Sequence, residues 1–321
     1  MSNAQEFFKK SEALFQFYHE GKYVDALTVA EKLAVEYPQR DSNTSYWRIC
    51  LYSVTGQKER ALKAFDEALK RGVWWAEERL RSDSDLDPLQ GDPEFERLVA
   101  LSEEKRKHAT ADPELFVYQP DGTGPFPLLI VLHARNSSAE RDVPFWESAV
   151  NHGWILAIAQ SSQPSSPLSF VWDDREKAMD EIVGHFNSLI KKYPVDINKI
   201  IIAGFSQGAA RAIELVLSER IKANGFIAVV PGTINLDELN RWTDSAKVRG
   251  VLISGGKDPR YEMFRQIKEI FTQKDIPLMF ENYPEMAHEF PNDFENILHK
   301  GLGLYALDGS QTRQSIVQEK E

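Results

Sequence analysis

Apolar residues fall into two regimes along this chain of 321 residues. From residue 5 to about 107 they recur at helical spacing, and no stretch alternates as a strand does. After His108-Ala109-Thr110-Ala111-Asp112-Pro113 they gather into short runs separated by amphipathic stretches. The runs at 115–118, 127–132, 154–159, 199–203, 225–230, 250–254 and 278–281 predict strands. The stretches at 143–152, 174–192, 209–217, 260–273 and 292–304 predict helices. In 174–192, Ala178, Ile182, Phe186 and Leu189 share one face. Strands alternating with helices specify a doubly wound, mainly parallel α/β sheet. The pattern divides the chain into a helical domain over 1–109, an α/β domain over 110–307 and a polar tail over 308–321, which is expected to fray.

The helical part repeats itself. Gly21-Lys22-Tyr23-Val24-Asp25-Ala26-Leu27 aligns with Gly56-Gln57-Lys58-Glu59-Arg60-Ala61-Leu62, 35 residues on. In each copy one helix stops at the glycine and the next presents a small residue, Ala26 or Ala61, that lets antiparallel helices approach closely. Tyr23 and Phe65 are placed to fill the space between pairs. Ala30, Leu33 and Pro38 continue the first copy and Phe65 and Ala68 the second, although Val73 stands where a closing proline belongs. Over about residues 5–72 this resembles the tetratricopeptide repeat. Asp92-Pro93 starts a further helix, to about Lys107, that serves as the end cap such arrays need. Trp74 and Trp75 belong to the packing of this region. The array either holds a peptide, a protein partner or a second subunit on its concave face, or it is an appendage that only covers part of the α/β domain.

Composition narrows the field. The net charge of -11 argues against nucleic acid or an anionic membrane as the main partner. No run of 18 apolar residues is present, so no membrane-spanning helix is expected, and the first residues do not read as a secretion signal. Cys50 is the single cysteine, which fits a reducing, cytoplasmic setting and a buried small hydrophobe.

The chemistry centres on one stretch. Lys199-Ile200-Ile201-Ile202-Ala203 reads as a buried strand, Gly204-Phe205-Ser206-Gln207-Gly208 follows at once, and a helix begins with Ala209. Strand, Gly-x-Ser-x-Gly, helix is the context of a nucleophile elbow. The turn holds the serine in strained geometry, leaves no room for side chains at Gly204 or Gly208, and aims the amides of the following helix at the reaction centre.

A serine hydroxyl needs a base, and the base needs an acid to orient its ring. Behind such an elbow they follow in the order acid, then histidine. Asp258 lies just past the strand 250–254, behind Gly255-Gly256. As an alternative to acting as the acid, it can merely cap the helix from 260. His288 lies in a loop after the last strand, whereas His299 sits within the last helix. Asp173 and Asp174 precede the serine and are poor candidates for the acid. An oxyanion hole needs two amides: one from Gln207, the other from the loop Leu132-His133-Ala134-Arg135-Asn136.

With these residues in place, the chain from about 113 to 306 resembles the α/β-hydrolase fold, and within it the phospholipase/carboxylesterase family that includes acyl-protein thioesterases. The resemblance implies Ser206, Asp258 and His288 as the triad and puts the second oxyanion amide at Arg135. Two positions depart from the family pattern: His133-Ala134 stands for His-Gly, and Ala287-His288 for Gly-His. A slightly altered oxyanion loop with an intact base is the expectation. His133 is read as a structural anchor. Arg135 either draws in an anionic acyl group or points into solvent.

The loop from Gln160 to Trp172 is rich in Ser and Pro. Its Phe170 and Trp172 either line an acyl pocket or seal the loop onto the core. No large inserted lid is evident, which argues against long triacylglycerols as substrates. No zinc-binding, dinucleotide or phosphate-loop motif occurs, so no metal or cofactor is expected. The expected function is hydrolysis of a small-molecule carboxylic ester or thioester through an acyl-enzyme. The alternatives are a serine peptidase of the prolyl-oligopeptidase type and a binding scaffold with a vestigial hydrolase domain.

Overall fold

A computed structural model describes residues 3–243 and 248–306; the polar tail from 308 lies outside the described residues. Two compact units emerge. The first comprises Met1–Asp112 with the segments Asn136–Arg141 and Ser162–Val171; the second comprises Pro113–Arg135, Asp142–Ser161 and Trp172–Glu321.

The first unit is led by six helices: α1 (Asn3–His19), α2 (Tyr23–Glu36), α3 (Asp41–Val54), α4 (Lys58–Lys70), α5 (Glu77–Ser82) and α6 (Pro93–Lys107). The sequence repeat has a matching geometry. Gly21 and Gly56 adopt φ of +71° and +72°. In both turns the next amide reaches back five residues, Lys22 to the Phe17 carbonyl and Gln57 to the Tyr52 carbonyl, each at 2.8 Å. This helix-ending motif requires a left-handed residue, which glycine supplies without a Cβ clash. Ala26 and Ala61 are fully buried at the start of the helices that follow. Phe65 packs against Trp75 and Phe95, with ring centroids 5.6 and 6.0 Å apart. Asp92 caps α6 by accepting from the amides of Glu94 and Phe95.

The second unit is organised by a seven-stranded sheet. Its strands are β1 (Glu114–Tyr118), β2 (Phe126–Leu132), β3 (Ile155–Gln160), β6 (Val195–Phe205), β7 (Gly225–Val229), β8 (Arg249–Gly255) and β9 (Leu278–Tyr283). Between β3 and β6 the short β4 (Pro164–Ser166) and β5 (Ser169–Phe170) form a separate two-stranded ribbon, which belongs to the first unit. The helices of the α/β part are α7 (Ala139–Trp146), α8 (Ser148–Asn151), α9 (Arg175–Lys192), α10 (Gln207–Leu217), α11 (Leu236–Trp242), α12 (Tyr261–Gln273) and α13 (Phe294–Ala306).

The strand order is β1-β3-β2-β6-β7-β8-β9; β1 runs antiparallel to β3 and every other pair is parallel. This is the expected α/β-hydrolase type of sheet. Leu128 to Leu132, Ile201 to Ala203, Phe226 to Val229 and Val251 to Ile253 are all buried, as strands covered on both faces must be. Edge strand β1 alternates exposed and half-buried positions instead. The order reverses between β2 and β6, and in open α/β sheets the crevice beyond such a switch point collects the ligand site.

Among the elements that differ from the sequence reading, three have a local cause. The helix expected over 143–152 starts at Ala139 and breaks at Glu147 into α7 and α8. It starts early because the Ser138 hydroxyl accepts from the Arg141 amide. Strand β6 begins at Val195, since Val195 pairs with Phe126 across a register shift ahead of the apolar run. The loop after β3 contains the β4–β5 ribbon, whose Ser-rich sequence carries no strand period.

Candidate active site

Strand β6 ends in a turn that holds Ser206 at φ 54°, ψ −119°. Backbone this unusual costs about 1–3 kcal/mol and persists only where its surroundings enforce it. They do so by close contact. A Cβ on Gly204 would lie 2.6 Å from the Gly208 carbonyl carbon, and one on Gly208 would lie 2.1 Å from the Leu132 oxygen and 2.6 Å from the His133 oxygen. The Ser206 amide donates to the Val229 carbonyl at 3.0 Å, and the Ser206 carbonyl accepts from the Gly232 amide at 2.7 Å. Thus β7, the chain beyond it and the loop after β2 all clamp one residue.

Two further loops meet the serine. The amides of Gly256 and Lys257 donate to the carbonyls of Tyr283 and Met286 at 2.8 and 2.9 Å, stapling the loop after β8 to the loop after β9. A Cβ on Gly255 would sit 2.4 Å from the Ala287 oxygen, so this staple also depends on close approach. Across it, His288 Nδ1 lies 2.6 Å from Asp258 Oδ2, and His288 Nε2 lies 2.8 Å from Ser206 Oγ. Ser206, His288 and Asp258, drawn from three strand ends, therefore form one hydrogen-bonded chain. The ring of Phe205 lies 5.1 Å from His288 and stacks on Phe290 at 4.5 Å, bracing the imidazole from its apolar side. An open hollow of about 620 Å³ runs along Tyr283 to Met286 and Glu289 to Asn292, on either side of His288 in the same loop.

The carboxylate of Asp258 is fully buried. Burial raises its affinity for a proton, but hydrogen bonds from the Arg260 side chain and amide and from His288 prevail, and the group is held below the usual carboxylate range. Asp258 does not cap α12: the amide it accepts is that of Arg260, ahead of the helix. His288 is pushed below the ordinary imidazole value by burial first and by the charge of Arg260 second, against the opposing pull of Asp258.

The loop after β2 is anchored by its own histidine. His133 is buried and stacks on Trp172 with centroids 4.6 Å apart. Its Nε2 accepts from the Ser161 amide at 3.3 Å and its Nδ1 lies 2.8 Å from the Ala134 carbonyl. Desolvation pushes its pKa down to about 4, so the ring is a neutral fixture, consistent with the anchoring role expected for it. Arg135 neither projects into solvent alone nor stands as a bare cation: it pairs with Asp173 at 2.8 Å. The same carboxylate accepts from the Gln207 side chain at 2.7 Å, and the Gln207 oxygen accepts from the Trp172 amide at 2.9 Å. Asp173 thus ties together the side chains of Arg135 and Gln207, the two residues whose amides are expected to face an oxyanion.

Trp172 is fully buried, and its indole donates to the His133 carbonyl at 2.9 Å. With no exposed face, this ring packs against the loop after β2. Phe170 lies in the β4–β5 ribbon of the first unit, paired with Pro164. The alanines at the two departures from the family pattern have no left-handed backbone: neither Ala134 nor Ala287 is among the residues with positive φ.

Sequence reasoning missed Asp173 and Arg260. Asp173 precedes the serine, so chain order weighs it only as a triad acid and passes it over. Arg260 carries one faint signal, a cation two residues after a candidate catalytic aspartate. Among the described residues, one set of potential metal ligands clusters closely, Cys50 with Asp83 and Asp85 in the helical unit. Burial pushes the Cys50 thiol up. No helix of the described residues is long and apolar enough to cross a membrane.

A serine held on an elbow, hydrogen-bonded to a histidine and through it to an aspartate, on a sheet of this order, defines the class of α/β-hydrolases. Known proteins agree. Residues 168–302 match the Phospholipase/Carboxylesterase family, and residues 9–110 match a family described as A/B hydrolase-like, N-terminal domain. The second unit has the α/β-hydrolase fold and is similar to that carboxylesterase family over 168–302, and the helical region is similar over 9–110 to an N-terminal domain described as A/B hydrolase-like. An uncharacterized protein from Bacillus cereus ATCC 10987 is 26% identical, with 95% of this chain and 99% of that one covered at a TM-score of 0.54. Esterase PE8 shares the fold at 15% identity and a TM-score of 0.53, covering 61% of this chain and 100% of its own. A chloroplastic protein from Arabidopsis thaliana is 36% identical over 91 residues, which are 28% of this chain. This chain spans about a quarter, 27%, of that curated relative's length.

Proposed function

We propose that the protein hydrolyses a carboxylic ester or thioester through an acyl-enzyme on Ser206. The observation that carries this reading is the unbroken hydrogen-bond chain Ser206–His288–Asp258, at 2.8 and 2.6 Å, behind a strained elbow. His288 Nε2 takes the hydroxyl proton as Ser206 Oγ adds to the carbonyl carbon. The backbone amides of Arg135 and Gln207 hold the oxyanion. His288 then gives its proton to the departing alkoxide or thiolate. Water, deprotonated by the same ring, attacks the acyl-enzyme, and collapse of the second tetrahedral adduct returns the proton to Ser206 Oγ and frees the acid. Asp258 stays ionised throughout and stabilises the imidazolium.

In this reading the Arg135–Asp173–Gln207 contacts keep the two amides in register, and Trp172 steadies that arrangement from below. Pairing with Asp173 removes the reason to expect Arg135 to select anionic acyl groups. The two helix pairs with identical glycine turns support the tetratricopeptide-like reading of the first domain, with a protein or peptide partner, or a second copy of the chain, on its surface. The lone buried cysteine fits a reducing compartment such as the cytoplasm.

The test is turnover of p-nitrophenyl esters from acetate to decanoate by the wild type and Ser206→Ala, together with fluorophosphonate labelling. Wild-type turnover that falls by about 10⁴-fold or more in the variant, with label on Ser206, is expected. Unchanged turnover in Ser206→Ala would remove the serine from the mechanism. Peptide cleavage without ester preference would favour the peptidase reading, and absence of both turnover and label would favour the scaffold.

A further inference from the structure

Nδ1 of His288 has two claimants. Asp258 Oδ2 lies 2.6 Å away and can only accept a hydrogen bond; Arg260 Nη2 lies 2.8 Å away and can only donate one. A ring nitrogen has one in-plane position, so the two bonds exclude each other. With the proton on Nδ1, the ring donates to Asp258, and Nε2 is free to receive the proton of Ser206. With Nδ1 bare, it accepts from Arg260. Nε2 then carries the hydrogen and donates it to Ser206 Oγ, which leaves the nucleophile without a base. Both arrangements satisfy the 2.8 Å Nε2–Oγ distance.

We propose that Arg260 is a positioning residue that governs which nitrogen of His288 carries the proton, and so the fraction of Ser206 that is ready to react. This rests on the reading of Ser206, His288 and Asp258 as the triad. The guanidinium is built into the site. It straddles Asp258 with Nε at 3.0 Å from Oδ1 and Nη2 at 3.3 Å from Oδ2, its own amide donates to Oδ1 at 2.8 Å, and its side chain is 29% exposed. Asp258 draws the proton to Nδ1 and favours the imidazolium; Arg260 opposes both. The other charged groups on the packed loops are Lys257, paired with Glu285 at 2.5 Å, and Glu289 next in the chain. From the end of β6 His288 meets the Phe205 ring and the Ser206 hydroxyl. Arg260 is therefore the cation in contact with the imidazole, in agreement with its lowering of the His288 pKa. Two consequences follow. The base stays deprotonated, hence competent, to lower pH than Asp258 alone would allow. Substrate or solvent that draws the guanidinium outward releases Nδ1 to Asp258 and switches the site on.

The test uses the full chain as wild type, Arg260→Gln, Arg260→Lys and Ser206→Ala. The kcat/KM for p-nitrophenyl acetate is measured against pH, and the ¹⁵N shifts of the His288 imidazole, assigned with His288→Gln, report the tautomer. In Arg260→Gln the tautomer moves toward Nδ1–H and the acid limb moves to higher pH. Relative to its own plateau, that variant loses roughly three- to tenfold in kcat/KM at the acid end. Arg260→Lys keeps the charge and the wild-type acid limb. An unmoved limb with unmoved ¹⁵N shifts in a folded Arg260→Gln overturns the proposal. Should that variant not fold, a wild-type His288 found wholly in the Nδ1–H form across the pH range overturns it equally. Turnover that survives in Ser206→Ala would instead refute the triad, while the ¹⁵N readout would still decide the role of Arg260.

Discussion

The two units use glycine for opposite reasons. In the helical unit Gly21 and Gly56 have φ near +70° and nothing within 4 Å of where a Cβ would stand. Space is plentiful there, and conformation is what only glycine supplies. At the elbow Gly208 has no left-handed φ, yet a Cβ would overlap the Leu132 oxygen at 2.1 Å. Conformation is ordinary there, and space is what is lacking. One region is built from local turns that would form in many contexts; the other is built from backbones pressed together by a sheet. The proposed chemistry belongs to the second, because a nucleophile, a base and amide donors can converge only where separate strand ends are brought into contact.

Substitutions separate the two cases. The largest effect is expected for Gly208→Ala, whose methyl meets backbone oxygens that have no side-chain freedom to yield. It should destabilise the α/β unit by about 3 kcal/mol or more and remove ester turnover. A variant with native melting behaviour and activity would mean that the Leu132–His133 backbone gives way easily.

The second probe is acid, acting on the same loop. The folded-state pKa of His133, about 4, lies below its ordinary value of 6.5. The folded state therefore binds fewer protons than the unfolded chain between these values. Its stabilising contribution is complete above about pH 6.5 and declines as pH falls toward 4, by up to about 3 kcal/mol. Denaturant midpoints measured from pH 7.5 to 4 should show this slope, and His133→Gln should flatten it. A slope unchanged in the variant would assign the acid sensitivity to other groups.

The smallest effects belong to the open turns. Gly21→Ala and Gly56→Ala each place an L side chain in left-handed backbone with room around it, which costs about 1–2 kcal/mol. The two losses should be equal because the turns are geometrically alike, and esterase activity at 25 °C should be kept. Unequal losses in thermal melts would break the equivalence of the two helix pairs.

Much of this protein was legible in one dimension. Period and run length are local properties, so the change of regime along the chain, the repeat at Gly21 and Gly56 and the buried strands could be read directly. The elbow was legible because Gly-x-Ser-x-Gly between a strand and a helix leaves few ways to turn, and His288 and Asp258 were singled out as its candidate partners by their places after strands. The polar partners of those residues were another matter. Nothing local distinguishes Asp173 from Asp174, yet Asp174 caps α9 while Asp173 holds Arg135 and Gln207. Trp172 looked equally fit to line a pocket or to fill the core, and its stacking on His133 appears only in the folded chain.

What the chain by itself determined is its two hydrophobic periods, and hence its helical and α/β parts, along with the serine, histidine and aspartate as residue types in workable order. What the tertiary structure alone decided is which polar groups share a hydrogen bond: Asp173 between two oxyanion candidates, and Arg260 against the ring of His288. The physical reason is range. Helix and strand periods are set by neighbours within a few positions, whereas a hydrogen bond needs its partners within about 3 Å. That closeness between residues 28 to 82 positions apart exists only after the sheet has brought its strand ends together.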